Sequence, residues 1–279
     1  MKKIEDITIA LPIYKRPKNL IKQLDNIKKI KLNNIIILIG DNGQNDFNNK
    51  YFATEFPNLK IKYFQHVVNI GHINNFIFLL NNCTTKYFMW MADDDTYETN
   101  FLIKLYNEIT QSENIVSVMS NYRINRNGKS IKIPLISRSY LADIFFLFNP
   151  LPFIKNNRSY LKIFIYGLHK TYFLKKVVNN EPWVSERDIL SILRSMGNFK
   201  TIKEYLFIKN VYYEVENQSL DDDYWLKFKK RGSISWFKSI FNKLVFLKIK
   251  IHKKIILIVF GSLIVVLYYL NKFKKFIIK

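Results

Sequence analysis

The chain has 279 residues, is 48% hydrophobic and carries a formal net charge of +22. That length and apolar share allow one sizeable core, or one domain with an appendage. The single cysteine, Cys83, excludes an intramolecular disulfide framework and makes a cysteine zinc site implausible, so a reducing compartment fits best. The first residues, MKKIEDITIALPIYKRP, contain Glu5 and Asp6 and too short an apolar run to read as a secretory signal.

The charge is unevenly spread. No acidic residue follows Asp223, and residues 227–279 hold 14 Lys and Arg, while the rest of the chain holds the other 30 basic and all 22 acidic residues. A basic tail that is also very apolar points to an anionic membrane surface and away from nucleic acid. The aromatic residues form no RNA-binding module pattern.

Taken in chain order, ITIALPIY (Ile7–Tyr14) predicts a buried strand ending in a turn at Pro12. PKNLIKQLDNIKKI (Pro17–Ile30) has apolar residues at helical spacing, with Pro17 in the first turn. NIIILIGDNG (Asn34–Gly43) predicts a strand ending at Asp41 in a turn, and LKIKYFQH (Leu59–His66) a third strand, with a loop between them. NIGHINNFIFLLNNC (Asn69–Cys83) predicts a turn and a helix that includes Cys83, and KYFMWMA (Lys86–Ala92) a fourth strand running into Asp93, Asp94 and Asp95. This order implies an α/β fold with a mostly parallel sheet covered by helices.

Further on, residues 101–111 read as a helix and ENIVSVMSNYRIN (Glu113–Asn125) as a strand. RSYLADIFFLFNPLPFIKNNRS (Arg138–Ser159) is apolar and broken by Pro150 and Pro152. SERDILSILRSMGNF (Ser185–Phe199) reads as a helix stopped at Gly197, and residues 199–215 as strand-rich. His66, His72 and His169 have no metal-ligand spacing and read as structural or peripheral.

Three like charges side by side repel unless a cation, a proton or water stabilises them. Asp93–Asp95 therefore read either as a solvated helix start or as a site for a hard divalent cation. Ligands in open α/β sheets bind beyond the carboxyl ends of the strands, where Tyr14, Asp41 and Asp93–Asp95 all fall. That convergence favours the cation.

At these residues the sequence resembles family 2 glycosyltransferases of the GT-A fold. PIYKR (Pro12–Arg16) keeps the Pro, Tyr and Arg of the first family pattern, with Ile13 and Lys15 departing from it. Asp41, Asn42 and Gly43 match the second-strand motif, and Asn69 and Gly71 match part of the third, where Asn74 replaces a common Arg. WMADDD is the strongest match. SERDILSILRSMG echoes the later pattern, with Glu186 at the base position, Asp188 after it and Gly197 nine positions beyond Asp188. The resemblance spans residues 4–215.

It implies sugar transfer from a nucleotide-sugar donor, with Mg2+ or Mn2+ stabilising the leaving diphosphate. Pro12, Tyr14, Arg16, Asp41, Asn69, Gly71, Asp93 and Asp94 are then donor-binding residues. Tyr14 stacks on the base, Asp41 accepts from it and Arg16 reaches a phosphate. Asp95, or alternatively Asp94, is the metal ligand, and Asp93 faces the nucleotide. Glu186 is the first choice for the general base and Asp188 the second. The competing role for Glu186 is in a weakened SERD capping box. Trp183 stacks on an acceptor sugar or packs in the core.

The expected organisation is a catalytic domain at 1–223, with a nucleotide half at 1–98 and an acceptor half at 99–223, and a membrane-associating tail at 224–279. In the tail, Ile234, Phe237, Ile240, Phe241, Leu244 and Leu247 share one helical face. IILIVFGSLIVVLYYL (Ile255–Leu270) is 16 uncharged residues, roughly 24 Å as a helix against a hydrocarbon core of about 30 Å. The implied enzyme works at the cytoplasmic face of a bacterial cell membrane, peripherally or by a single C-terminal span. It inverts the donor linkage and extends a lipid-linked or lipid-anchored saccharide for surface polysaccharide or lipooligosaccharide. Alternatives are transfer to a polyprenyl phosphate, and a non-catalytic membrane adaptor that keeps the fold.

Overall fold

The computed structural model describes residues 7–30, 35–126, 128–135, 160–178 and 186–211, together with 252–256, 258, 259 and 262. The N-terminal part follows the order read from the sequence, with one helix, α2, added: β1 (Ile7–Ile13), α1 (Pro17–Lys28), β2 (Ile35–Asp41), α2 (Asn49–Glu55), β3 (Lys60–Gln65), α3 (His72–Asn81) and β4 (Tyr87–Trp90). Burial on both faces explains the nearly unbroken apolar runs: Ile7, Ile9, Leu11, Ile37, Ile39, Phe88 and Trp90 are all buried. α1 begins at Pro17, whose missing N–H costs nothing at a helix start, and buries Leu20, Leu24 and Ile27.

Three local expectations need correction. The segment after β2 is not all loop: α2 forms there, with Asn48 accepting from the Tyr51 amide as its N-cap. Its seven residues are too short to show a helical period. β1 runs through Pro12 to Ile13, because pairing with β4 ends at Ala10 and leaves the proline opposite Gly40 of β2 alone. Cys83 is buried just past the end of α3.

The remaining elements are β5 (Thr96–Tyr97), α4 (Phe101–Ile109), β6 (Ile115–Arg126), β7 (Lys129–Ile133), a 3-10 segment (Tyr160–Tyr166), β8 (Leu168–Lys170), α5 (Thr171–Val178), α6 (Glu186–Met196) and β9 (Asn198–Val211). The sheet has the order β3-β2-β1-β4-β8-β6-β9-β5, with β7 on β6. The mostly parallel α/β sheet expected from the sequence is present, with antiparallel members added to it. β1–β4 run parallel, as do β6 and β9, whereas β8 is antiparallel to both β4 and β6 and β5 is antiparallel to β9. Three-residue β8 and two-residue β5 carry no usable sequence period, which is why the mixture was not legible.

The apolar stretch at 138–159, Trp183 and most of the tail, including its amphipathic segment, lie outside the described residues. The tail residues described are helical. Among them Ile256 and Ile258 pack against the core, and Lys253 donates to the Ser195 carbonyl at 3.2 Å. Ile255 and Val259 are exposed. No helix among the described residues is long and apolar enough to cross a membrane.

Candidate active site

The carboxyl ends of β2, β1 and β4 form one rim, since Ile13 pairs with Asp41 and Ala10 with Trp90. Two turns interlock there. Lys15 and Gln44 both take left-handed backbone (φ 53°), and a Cβ at Gly43 would overlap the Lys15 backbone nitrogen, so only glycine permits this approach. Asn42 ties in a third loop: its amide donates to Ile13 O, its Nδ2 to Gly71 O, and its Oδ1 accepts from Ile70 N. Asn69 accepts from the amide of Gly71, which has φ 82° and precedes α3.

Asp41 is fully buried and saturated. Its oxygens accept from Gly43 N (2.7 Å), Asn45 N (2.8 Å), Asn45 Nδ2 (3.0 Å) and Tyr63 Oη (2.6 Å). In this state it organises the turn and presents no free acceptor to a base. Tyr14, by contrast, is half exposed on the rim beside Lys15, as a stacking surface should be.

The aspartate turn is braced from three sides. Gln23 of α1 donates to the carbonyls of Ala92 (2.7 Å) and Asp95 (3.1 Å). The Tyr97 hydroxyl accepts from Ala92 N. Asn210 of β9 donates through its amide to Asp95 Oδ1 (3.0 Å) and through Nδ2 to Asp94 O (2.8 Å). Lys209 Nζ lies 3.6 Å from Asp95 Oδ2. The Asp95 side chain consequently has no exposed surface, whereas Asp94 keeps 26% and faces outward. Arg16 Nη1 bridges the outer pair, 2.8 Å from Asp94 Oδ2 and 3.3 Å from Asp93 Oδ1.

Burial and the neighbouring Asp94 push the Asp93 carboxyl up to about 6 despite Arg16. Burial likewise raises Asp95 to about 6, with Lys209 opposing. Asp93 Oδ2 is buried with no hydrogen-bond partner. A hard divalent cation fits such a set: oxygen ligands only, two of them (Asp93 Oδ2 and Asp95 Oδ2) without a hydrogen-bond partner, beside the part-exposed carboxylate of Asp94. No group of three His, Cys, Asp or Glu among the described residues forms a self-sufficient metal cage. Two carboxylates suffice where substrate phosphates and water complete the shell.

Glu186 opens α6 and lies 3.7 Å from His72 Nε2 at the start of α3. Tyr166 links it to the triplet. Burial, and then the carboxylates of Asp95, Glu186, Asp94 and Asp93, hold that phenol well above its ordinary range, so all four acids lie within electrostatic reach of it. Asp188 lies in α6, but its side chain is outside the described residues. His66 bonds Asn75, and His169 is fully buried, which lowers it to about 4. Sequence reasoning missed Gln23, Tyr97, Tyr166, Lys209 and Asn210. Only Gln23 left a signal, as a polar residue on the apolar face of α1.

A carboxylate-bearing rim at the strand ends of an α/β sheet, with the exposed ring of Tyr14 beside it, is the arrangement of a nucleotide-handling fold. The sequence profile of glycosyl transferase family 2 matches residues 8–180, and the chain belongs to that family of glycosyltransferases. Solved structures agree on the GT-A fold. Staphylococcus aureus TarS 1–349 in complex with UDP-GlcNAc is 12% identical with a TM-score of 0.62, over 91% of this chain and 71% of that one. A longer TarS structure is 14% identical with a TM-score of 0.60, and this chain spans only 42% of it. The Pyrobaculum calidifontis mannosyltransferase PcManGT, in complex with GDP-Man and Mn2+, is 12% identical with a TM-score of 0.58, over 94% of this chain and 70% of that one. Among curated protein sequences none matches this chain.

Proposed function

We propose that the protein moves a sugar from a nucleoside-diphosphate sugar to a saccharide hydroxyl, with inversion, assisted by Mg2+ or Mn2+. The observation that carries this reading is the aspartate turn, braced by three elements yet left with an unpaired buried oxygen on Asp93. Asp94, with Asp93 behind it, is the ligand pair for the cation. Asp95 is a positioning residue: Asn210 holds its Oδ1, and its Oδ2, which has no hydrogen-bond partner, lies 3.6 Å from Lys209 Nζ on a side chain with no exposed surface. The bound cation supplies positive charge to the leaving diphosphate.

Tyr14 stacks on the base, and the loops joined by Asn42, including Asn69 and Gly71, form the nucleoside wall. Glu186 accepts the proton of the acceptor hydroxyl as that oxygen bonds to the anomeric carbon and the bond to the diphosphate oxygen breaks. A single displacement inverts the anomeric centre. The complexes of TarS with UDP-GlcNAc and of PcManGT with GDP-Man and Mn2+ support this donor class.

For the acceptor, the basic, apolar tail supports a lipid-anchored saccharide at the cytoplasmic face of the cell membrane. The test is nucleotide release from a panel of UDP- and GDP-sugars with Mn2+, Mg2+ or EDTA, with and without glycolipid acceptors in anionic vesicles. Full activity in EDTA would sink the metal assignment. Activity on polyprenyl phosphate alone would replace the saccharide acceptor, and no donor turnover with any acceptor would favour a non-catalytic role.

A further inference from the structure

We propose that Arg16 is a two-position counterion: it neutralises Asp93 and Asp94 in the nucleotide-free protein and transfers to the donor diphosphate on binding, so that metal and nucleotide bind cooperatively. This rests on the metal-dependent reading above.

The geometry sets up both positions. A single nitrogen, Nη1, spans both carboxylates, which puts one positive charge where a metal shared by that pair must sit. The Arg16 side chain is 43% exposed, against 10% for Asp93 and 26% for Asp94, so the arginine can leave without repacking while the acids cannot. Its root is fixed. Lys15 before it is locked in left-handed backbone against Gly43, Pro17 after it begins α1, and its own carbonyl accepts from Leu20 N. As the N-cap residue it makes no side-chain cap bond, so nothing in the helix start tethers the guanidinium. Arg16 also satisfies the pair incompletely, since Asp93 Oδ2 stays unpaired beside it.

Metal arriving alone must therefore displace Arg16 into water, or bind two carboxylates that are already partly neutralised. A diphosphate offers the guanidinium an equivalent partner, since phosphate and carboxylate both suit its fork of donors. Nucleotide thus lowers the cost of metal entry. By linkage, metal tightens nucleotide by the same factor. Couplings of this kind are typically about 5- to 150-fold, and a pair this exposed belongs near the lower end.

The experiment uses the full chain as wild type, Arg16→Gln and Arg16→Lys, with Mn2+ binding followed by the electron paramagnetic resonance of free Mn2+, with and without UDP or GDP. Without nucleotide, Arg16→Gln should bind Mn2+ about 5- to 20-fold more tightly than wild type. Nucleotide should then tighten wild-type Mn2+ binding by more than it tightens that of Arg16→Gln. Arg16→Lys, which can hold only one carboxylate well, should fall between. Equal or weaker Mn2+ binding by both variants without nucleotide overturns the counterion role while leaving the metal site standing. Should wild type fail to bind Mn2+ with either nucleotide, the metal-dependent reading falls and this inference with it.

Discussion

β2 and β4 flank β1 and end at the same rim, yet their acidic turns are built in opposite ways. Asp41 closes β2 with four donors from its own surroundings and no surface left. Asp93–Asp95 follow β4 with a backbone braced by distant residues and a side-chain pair, Asp93 and Asp94, bridged by Arg16. The first carboxylate is used up in making the rim. The second pair keeps a buried oxygen, Asp93 Oδ2, without a hydrogen-bond partner among the described residues. Two aspartates at equivalent strand ends thus divide structure from chemistry, and substitutions should separate them.

The largest effects belong to the chemistry side. Glu186→Gln keeps shape and hydrogen bonding but removes basicity, so turnover should fall about 10²- to 10⁴-fold. Asp94→Asn should lower activity comparably through loss of metal assistance. Both variants should melt within a few degrees of wild type, which thermal denaturation in EDTA checks. If Asp188→Asn, not Glu186→Gln, stops turnover, the base lies two residues further into α6.

Asp41→Ala should do the reverse. It strands donors from Gly43, Asn45 and Tyr63, at about 1–3 kcal/mol for a buried unsatisfied group. A fall in stability of about 3 kcal/mol in urea unfolding, with loss of nucleotide binding following the misshapen turn, is expected. Unchanged stability would mean that Asp41 is held for ligand and not for the loop.

A third contrast is in pH. Asp93 and Asp95, raised to about 6, bind protons more tightly folded than unfolded. Their contribution to metal-free stability is full below about pH 4 and is lost as pH rises through about 6. His169, lowered to about 4, acts oppositely: its contribution is full above its ordinary value and is lost as pH falls through about 4. Asp95→Asn should therefore stabilise the metal-free protein by about 1–2 kcal/mol at pH 7 and hardly at all at pH 4. A gain that is equal at both values would refute the ionisation account.

The smallest effect concerns the tail. Lys253→Gln removes one part-buried bond to the Ser195 carbonyl, and should cost about 1 kcal/mol or less.

The nucleotide half was legible because its elements are long, periodic and paired with near neighbours in the chain. Leu20, Leu24 and Ile27 announce α1, and the run Ile35–Ile39 announces β2. Tyr14, Asp41 and the triplet could be placed on one rim from strand order alone. What could not be read was which aspartate is sealed. That depends on Asn45, Tyr63, Lys209 and Asn210, whose approach is fixed by tertiary packing rather than by any local pattern. The approach of His72, which reads as structural or peripheral, to within 3.7 Å of Glu186 is hidden for the same reason, since it joins the starts of α3 and α6. The mixed strand directions were hidden because β5 and β8 are too short to alternate.

β9 has a consequence for how the enzyme comes into being. The triplet is translated by residue 95, and the family match ends at residue 180, but the ion contact and the hydrogen bond to the Asp95 carboxylate come from residues 209 and 210. Parallel pairing of β6 with β9 closes a long stretch of chain, and such non-local contacts form late and slowly. A nascent or clipped chain that lacks β9 thus carries Asp93, Asp94, Asp95 and the strand ends beside them without the contacts that hold Asp95. Competence arrives in one late step, when the fourteen-residue strand docks beside β6 and delivers its last polar pair to the opposite half of the molecule.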